Sequence, residues 1–159
     1  IWFCIGGHPT FACPIEQHLA FTDYYLEFDK KEMADRHLMT GALMNGQTEP
    51  FLQQERSIPL KKDLFSENAI ILKNLKSKNV TLHSDKGICS VRLSIAGFPH
   101  LGIFSYANSA EDKYICLEPW HGIPGIKGKE KYLQDKEGII KVKEGKEFVT
   151  SFTIEVMEE

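Results

Sequence analysis

The segment Gly6-Gly7-His8-Pro9 carries a side chain suited to proton transfer. The two glycines free the backbone after an apolar run, and Pro9 restricts the residues that follow, so the segment can fix an imidazole at a strand end. An imidazole titrates near neutrality and can give or take a proton at physiological pH. Taken alone, however, His8 is more typical of a histidine that caps a turn.

A second segment suited to proton transfer surrounds Glu118, which follows the apolar run 114–117. Burial at the end of such a run disfavours the charged carboxylate and raises its pKa toward a range useful for acid–base chemistry. Trp120 offers a flat face of the kind that packs against the C–H surface of a sugar. Taken alone, Glu118 is more typical of a carboxylate paired with a lysine at a strand end.

The composition excludes several classes of function. A net charge of -3, spread along 159 residues, argues against nucleic-acid binding because there is no basic patch. Arginine is scarce, which disfavours a site built to grip phosphate. The sequence has neither an apolar run long enough for a bilayer nor a signal-peptide pattern. We therefore expect no membrane partner and a cytoplasmic location.

The metal-binding residue types show no motif spacing. The four cysteines form no C-x-x-C pair, which favours free thiols. Four histidines are isolated from any second ligand, and no phosphate loop or nucleophile elbow is present. We therefore predict no metal site. The isolated histidines are His18, His37, His83 and His100.

Apolar runs cut by Gly, Pro, Asn and Asp predict an all-β antiparallel sandwich or barrel, because helical periodicity is almost absent. One helical turn is expected at 63–65, and an exposed loop at 122–131. Hairpins are expected between 80–83 and 88–95 and between 138–142 and 148–156. Other strands are expected at 1–5, 19–28 (ending at 29–31), 36–39, 51–58, 69–75, 101–106 and 114–117.

No internal domain boundary is visible, so residues 1–159 are expected to form part of a single domain. The run 1–5 has the pattern of a buried strand and has no preceding segment. We therefore predict that the chain is part of a longer protein.

Together, these segments resemble the aldose 1-epimerase (galactose mutarotase) family. Residues 3–11 resemble the family's GGHPxF strand end. Residues 115–122 resemble the LEPWxG segment of its bacterial, less well characterised branch. Asp63-Leu64-Phe65, followed by Asn68-Ala69-Ile70, resembles that branch's LF-x-x-DAL region. Residues 136–140 and 151–156 match its end, so the similarity covers nearly the whole chain.

The resemblance implies a mutarotase-like supersandwich, of which this chain is the C-terminal portion. It implies interconversion of the α and β anomers of a free hexose without a cofactor. Glu118 would be the general base at the C1 hydroxyl, and His8 the general acid at the ring oxygen. Trp120 and either Asn68 or Asp63 would bind the sugar.

Two departures from the family pattern leave alternatives open. Asn68 stands where the branch usually has Asp, and no segment matches the family's other active-site histidine or its sugar-binding arginine. We therefore expect an N-terminal half or a partner chain to complete the fold. The alternatives are a non-catalytic carbohydrate-binding β-sandwich, an epimerase of a related sugar or phosphosugar, and an inactive, poorly soluble piece with unpaired strand edges.

Overall fold

The computed structural model describes residues 1–66, 68–106, 114–129 and 132–158, and the regular secondary structure of these residues is almost entirely β-strand. The all-β prediction is confirmed. Residues 130–131 of the predicted loop 122–131 lie outside the described ranges. The strands are β1 (Trp2–Phe3), β2 (Thr10–Ala12), β3 (Tyr25–Thr40), β4 (Leu43–Pro59), β5 (Ile70–Lys73), β6 (Asn79–His83), β7 (Cys89–Ser94), β8 (His100–Phe104), β9 (Tyr114–Trp120), β10 (Ile140–Lys141) and β11 (Ile154–Glu158).

The strands form a large curled antiparallel sheet and a small separate ribbon. The main sheet has the order β11-β7-β6-β3-β5-β8-β9-β2, with β4 paired to β3 beside this path. The β6–β7 hairpin is present as predicted. Each ladder between the described strands is antiparallel. The fold therefore matches the predicted class.

The longest hairpin, β3–β4, was not predicted in its true length. The polar run at 29–31 was expected to end a strand, but β3 continues through it with register shifts between Glu27 and Glu32. Glu32 is 1% exposed, and its carboxylate accepts hydrogen bonds from the backbone and hydroxyl of Ser77 at 2.7 and 2.6 Å. The irregular register thus places a carboxylate inside, where the turn after β5 satisfies it.

Both ends of the chain differ from the prediction. The expected hairpin between 138–142 and 148–156 is absent from the described residues, since β10 pairs with β1 and β11 pairs with β7. The run 1–5 is largely exposed rather than buried. Apolar content alone could not distinguish a buried strand from an uncovered one.

The alternation of β9 decides which side chains enter the main core. Ile115 and Leu117 belong to that core, so Cys116 and Glu118 point to the opposite face of the sheet. A smaller cluster of Met44, Ile71 and Ile123 covers part of this second face.

The segment between β4 and β5 forms hydrogen-bonded turns at 62–66 instead of the expected helical turn at 63–65. Among the described residues, none belongs to a helix with the length and apolar character needed to cross a bilayer.

Candidate functional site

The pairing of β2 with β9 brings His8 and Glu118 together. In this ladder Thr10 lies opposite Cys116, and the N–H of Leu117 donates to the carbonyl of Pro9 at 3.2 Å. His8, two residues before Thr10, is therefore carried to the level of Glu118. His8 Nε2 lies 3.4 Å from Glu118 Oε2. The two residues that the sequence singled out separately thus form one pair.

The two members of this pair have opposite surroundings. The His8 side chain is 65% exposed, whereas that of Glu118 is 5% exposed. Burial raises the pKa of Glu118 above its usual value, and the neighbouring His8 opposes this rise. A buried carboxyl of raised pKa beside an accessible imidazole can exchange protons with a ligand that arrives from solvent.

Trp120 forms one wall of the shallow pocket beside His8. The pocket has a volume of about 210 Å³ and is also lined by Ile5, Gly6 and Gly7. The indole lies over Gly102, where an added Cβ would come within 2.6 Å of its ring. The lack of a side chain at Gly102 therefore leaves the space that the indole occupies.

Cys116 is a third reactive side chain at this site. Its buried Sγ lies 3.3 Å from Thr10 Oγ1. The ligand atoms of His8, Cys116 and Glu118 all lie within 4.8 Å of one another. Burial raises the pKa of the Cys116 thiol. The sequence interpretation missed this neighbour, although the two-residue period of a strand puts Cys116 and Glu118 on one face.

Asn68 lines a different pocket, of about 380 Å³, which it shares with Phe104 among others. Phe104 lies opposite Cys116 in the β8–β9 ladder, so this pocket adjoins the site on the same face. Asn68 has a left-handed backbone with φ of 87°. Its Nδ2 donates to the carbonyl of Gly41 at 2.9 Å, and its Oδ1 accepts from the N–H of Ala69 at 2.7 Å. Part of its amide thus has a structural role.

Asp63 is exposed on the turn of residues 62–66, where its carbonyl accepts from the N–H of Ser66 at 3.1 Å. The described residues that line the pockets of His8 and Asn68 do not include Asp63. The structure therefore brings His8, Glu118 and Trp120 together, puts Asn68 next to them, and leaves Asp63 outside both linings.

The face of the sheet that holds Glu118 also carries two histidines, His100 and His37, which the sequence interpretation treated as isolated. His100 lies opposite both Trp120 and Lys73 in the ladders. Lys73 Nζ contacts the Glu137 carboxylate at 2.7 and 2.8 Å. Burial lowers the pKa values of His100 and His37. Both imidazoles are thereby favoured in their neutral form beside the site.

No family model matches the sequence. The chain is 36% identical over 143 residues to the chromosomal protein LacX of Lactococcus lactis subsp. lactis, covering 88% of this chain and 47% of LacX. Its fold is similar to a galactose mutarotase related enzyme from Lactobacillus acidophilus, with a TM-score of 0.86 and 28% identity over 100% of this chain and 52% of that one. It is also similar to a galactose mutarotase-like protein from Lactobacillus casei, with a TM-score of 0.77 and 25% identity over 99% and 53% of the two chains.

The curled antiparallel sheet and its similarity to these structures define a protein of the mutarotase-like fold. The chain is similar over nearly its whole length to galactose mutarotase-like proteins, as the resemblance noted in the sequence predicted. It spans about half the length of the curated relatives that it matches.

Proposed function

We propose that the protein is an aldose 1-epimerase that interconverts the α and β anomers of a free hexose. The observation that carries this proposal is the 3.4 Å separation of His8 Nε2 from the buried Glu118 carboxylate. In a cyclic hexose, the C1 hydroxyl and the ring oxygen are bonded to the same carbon. Two adjacent groups of complementary protonation can therefore act on both oxygens at once.

In the proposed reaction, Glu118 removes the proton of the C1 hydroxyl while His8 protonates the ring oxygen. The bond between C1 and the ring oxygen breaks, and an open-chain aldehyde forms. The C1–C2 bond rotates, and the ring oxygen then attacks the other face of the aldehyde. During closure His8 takes the proton back and Glu118 returns its proton to the C1 oxygen, so both groups recover their starting state.

The surroundings of the pair support this assignment. Each acid or base group contributes roughly 10²–10⁴-fold to the rate, so the positioning of the sugar must supply the rest. Trp120 lines the pocket beside His8 and offers an apolar face to the C–H bonds of the ring. Asn68, in the adjoining pocket, is the next proposed sugar contact, with Asp63 as a more distant one.

We also propose that residues 1–159 form the C-terminal portion of a single mutarotase-like sandwich, which an N-terminal half or a partner chain completes. The chain covers 47–53% of the relatives described above. The edge strand β11 carries Val156 with 76% of its surface exposed, and Ile1 before β1 is 80% exposed. Covering such apolar side chains would stabilise the assembly. The cytoplasmic location stays a prediction from the sequence.

Polarimetry of freshly dissolved α-glucose and α-galactose tests the proposal on the intact protein. We expect acceleration of anomer equilibration that Glu118→Gln and His8→Gln each remove. Glu144→Gln and His18→Gln, which change exposed residues of the same types, are the matched controls and should keep the native rate. The proposal fails if the native protein gives no acceleration on any hexose, or if Glu118→Gln retains full activity.

Asn68 favours a second candidate, a non-catalytic carbohydrate-binding protein. Its amide is held by Gly41 and Ala69, and the branch usually has a carboxylate at this position. On this alternative, calorimetry would detect sugar binding while polarimetry detects no turnover. Substitution of Trp120 would then weaken binding, whereas Glu118→Gln would not.

A further inference from the structure

The cluster of His8, Cys116 and Glu118 contains three donor types that zinc prefers. Imidazole nitrogen, thiolate sulfur and carboxylate oxygen are its usual protein ligands, and three protein ligands leave a fourth position open. Cys116 and Glu118 lie on β9, and His8 precedes the neighbouring β2; the three ligand atoms lie within 4.8 Å of one another. The sequence could not reveal this set through motif spacing, since the pairing of β2 with β9 creates it.

The separation of two of these atoms fits a tetrahedral ion. With zinc–nitrogen and zinc–oxygen bonds of about 2.0–2.2 Å at tetrahedral angles, the two ligand atoms lie about 3.4 Å apart. His8 Nε2 and Glu118 Oε2 are separated by 3.4 Å. The spacing of these two atoms therefore suits an ion as well as it suits proton exchange.

We propose that His8, Cys116 and Glu118 bind a thiophilic divalent cation of the zinc class. Binding forms a bond from the metal to Cys116 Sγ, and the thiol proton leaves to solvent. Thr10 Oγ1, 3.3 Å from Cys116 Sγ, can donate a hydrogen bond to the thiolate and hold it in place. The exposed His8 side chain gives the ion an entry path, and the pocket beside it provides the open position.

The cation occupies the same atoms that exchange protons with the sugar. If the proposed epimerase function holds, zinc and catalysis therefore compete, and the ion inhibits the enzyme reversibly. This consequence rests on the proposed function, whereas metal binding itself does not. The two can be separated because binding is measured without sugar and catalysis without metal.

The test is a titration of the intact, chelator-treated protein with Co²⁺ followed by absorption, and with Zn²⁺ followed by calorimetry. We expect one equivalent to bind with the charge-transfer band of a cobalt–thiolate bond. Cys116→Ser should remove that band and weaken binding by at least about 100-fold, since even an outer contact of a metal site is worth about 10–100-fold. His8→Gln, at an exposed position, gives a second test that does not alter a buried residue. Cys89→Ser, on β7, is the matched control and should bind normally.

Several outcomes would overturn the proposal. The first is the lack of binding at millimolar metal, and the second is unchanged binding in both Cys116→Ser and His8→Gln. The third is loss of the thiolate band only in Cys4→Ser, which would assign the band to Cys4, an exposed thiol that lines the same pocket. A protein that binds Zn²⁺ but does not equilibrate sugars keeps the metal site and loses the proposed function. Rapid mutarotation that is unaffected by saturating Zn²⁺ keeps the function and overturns the metal site, because an ion bound to His8 and Glu118 would block both groups.

Discussion

Gly102→Ala tests whether the position of Trp120 is as tightly determined as the structure indicates. A Cβ on Gly102 would lie 2.6, 2.8 and 2.9 Å from three atoms of the indole. Carbon atoms prefer separations of about 3.5–4.0 Å, so the ring must move by roughly 1 Å. Such overpacking typically costs about 1–3 kcal/mol of stability. A displacement of about 1 Å at a substrate wall can lower activity by as much as about 10²-fold.

Urea unfolding and polarimetry measure these two losses, and a double-mutant cycle identifies their cause. Trp120→Phe removes ring atoms near Gly102, so Gly102→Ala should cost less stability in that background than in the native protein. If Gly102→Ala is as stable and active as the native protein, the packing of Trp120 over Gly102 is not as described. If the loss is equal in both backgrounds, the contact with Trp120 is not its source.

Three further substitutions test individual features. Burial raises the pKa of Glu118, so ionisation of its carboxyl destabilises the folded protein as the pH rises from the ordinary pKa of a glutamate through the raised pKa. The melting temperature of Glu118→Gln should therefore rise relative to that of the native protein over this pH range. At lower pH the two melting temperatures should be equal. Asn68→Asp replaces the donor to Gly41 by a carboxylate and should cost about 1 kcal/mol, or about 2–4 °C in melting temperature by calorimetry. Glu32→Gln weakens charged hydrogen bonds to Ser77 and should cost about 1.5–3 kcal/mol in urea unfolding, and unchanged stability would contradict the role given to this carboxylate.

Local patterns predicted the fold class and one hairpin because both follow from residues close in sequence. The alternation in β7 and the turn before it determine the β6–β7 pairing. The length of β3 could not be predicted in this way. The polar run and the Glu32 that follows it find their partners in a later segment, where the N–H groups of Lys78 and Asn79 bind Asp29 and Ser77 binds Glu32. Partners of this kind are invisible in a local window.

The candidate site could likewise be predicted only where it depends on local sequence. The motifs singled out His8 and Glu118, but Glu118 lies inside β9 and His8 lies before β2, so neither occupies the strand end expected of it. Their 3.4 Å separation depends on the register of β2 against β9, which local sequence does not specify. The hydrogen bond from Asn68 to the carbonyl of Gly41 likewise depends on where the β3–β4 turn lies.

The most direct test of the central claim is the rate of anomer equilibration catalysed by the intact protein, compared with that of its Glu118→Gln variant. Each acid or base group is worth roughly 10²–10⁴-fold. The proposed mechanism predicts a loss in this range for Glu118→Gln while its folding, followed by circular dichroism, is preserved. A folded Glu118→Gln variant that equilibrates α-galactose or α-glucose as fast as the native protein would contradict the assignment of the His8–Glu118 pair as the catalytic acid and base.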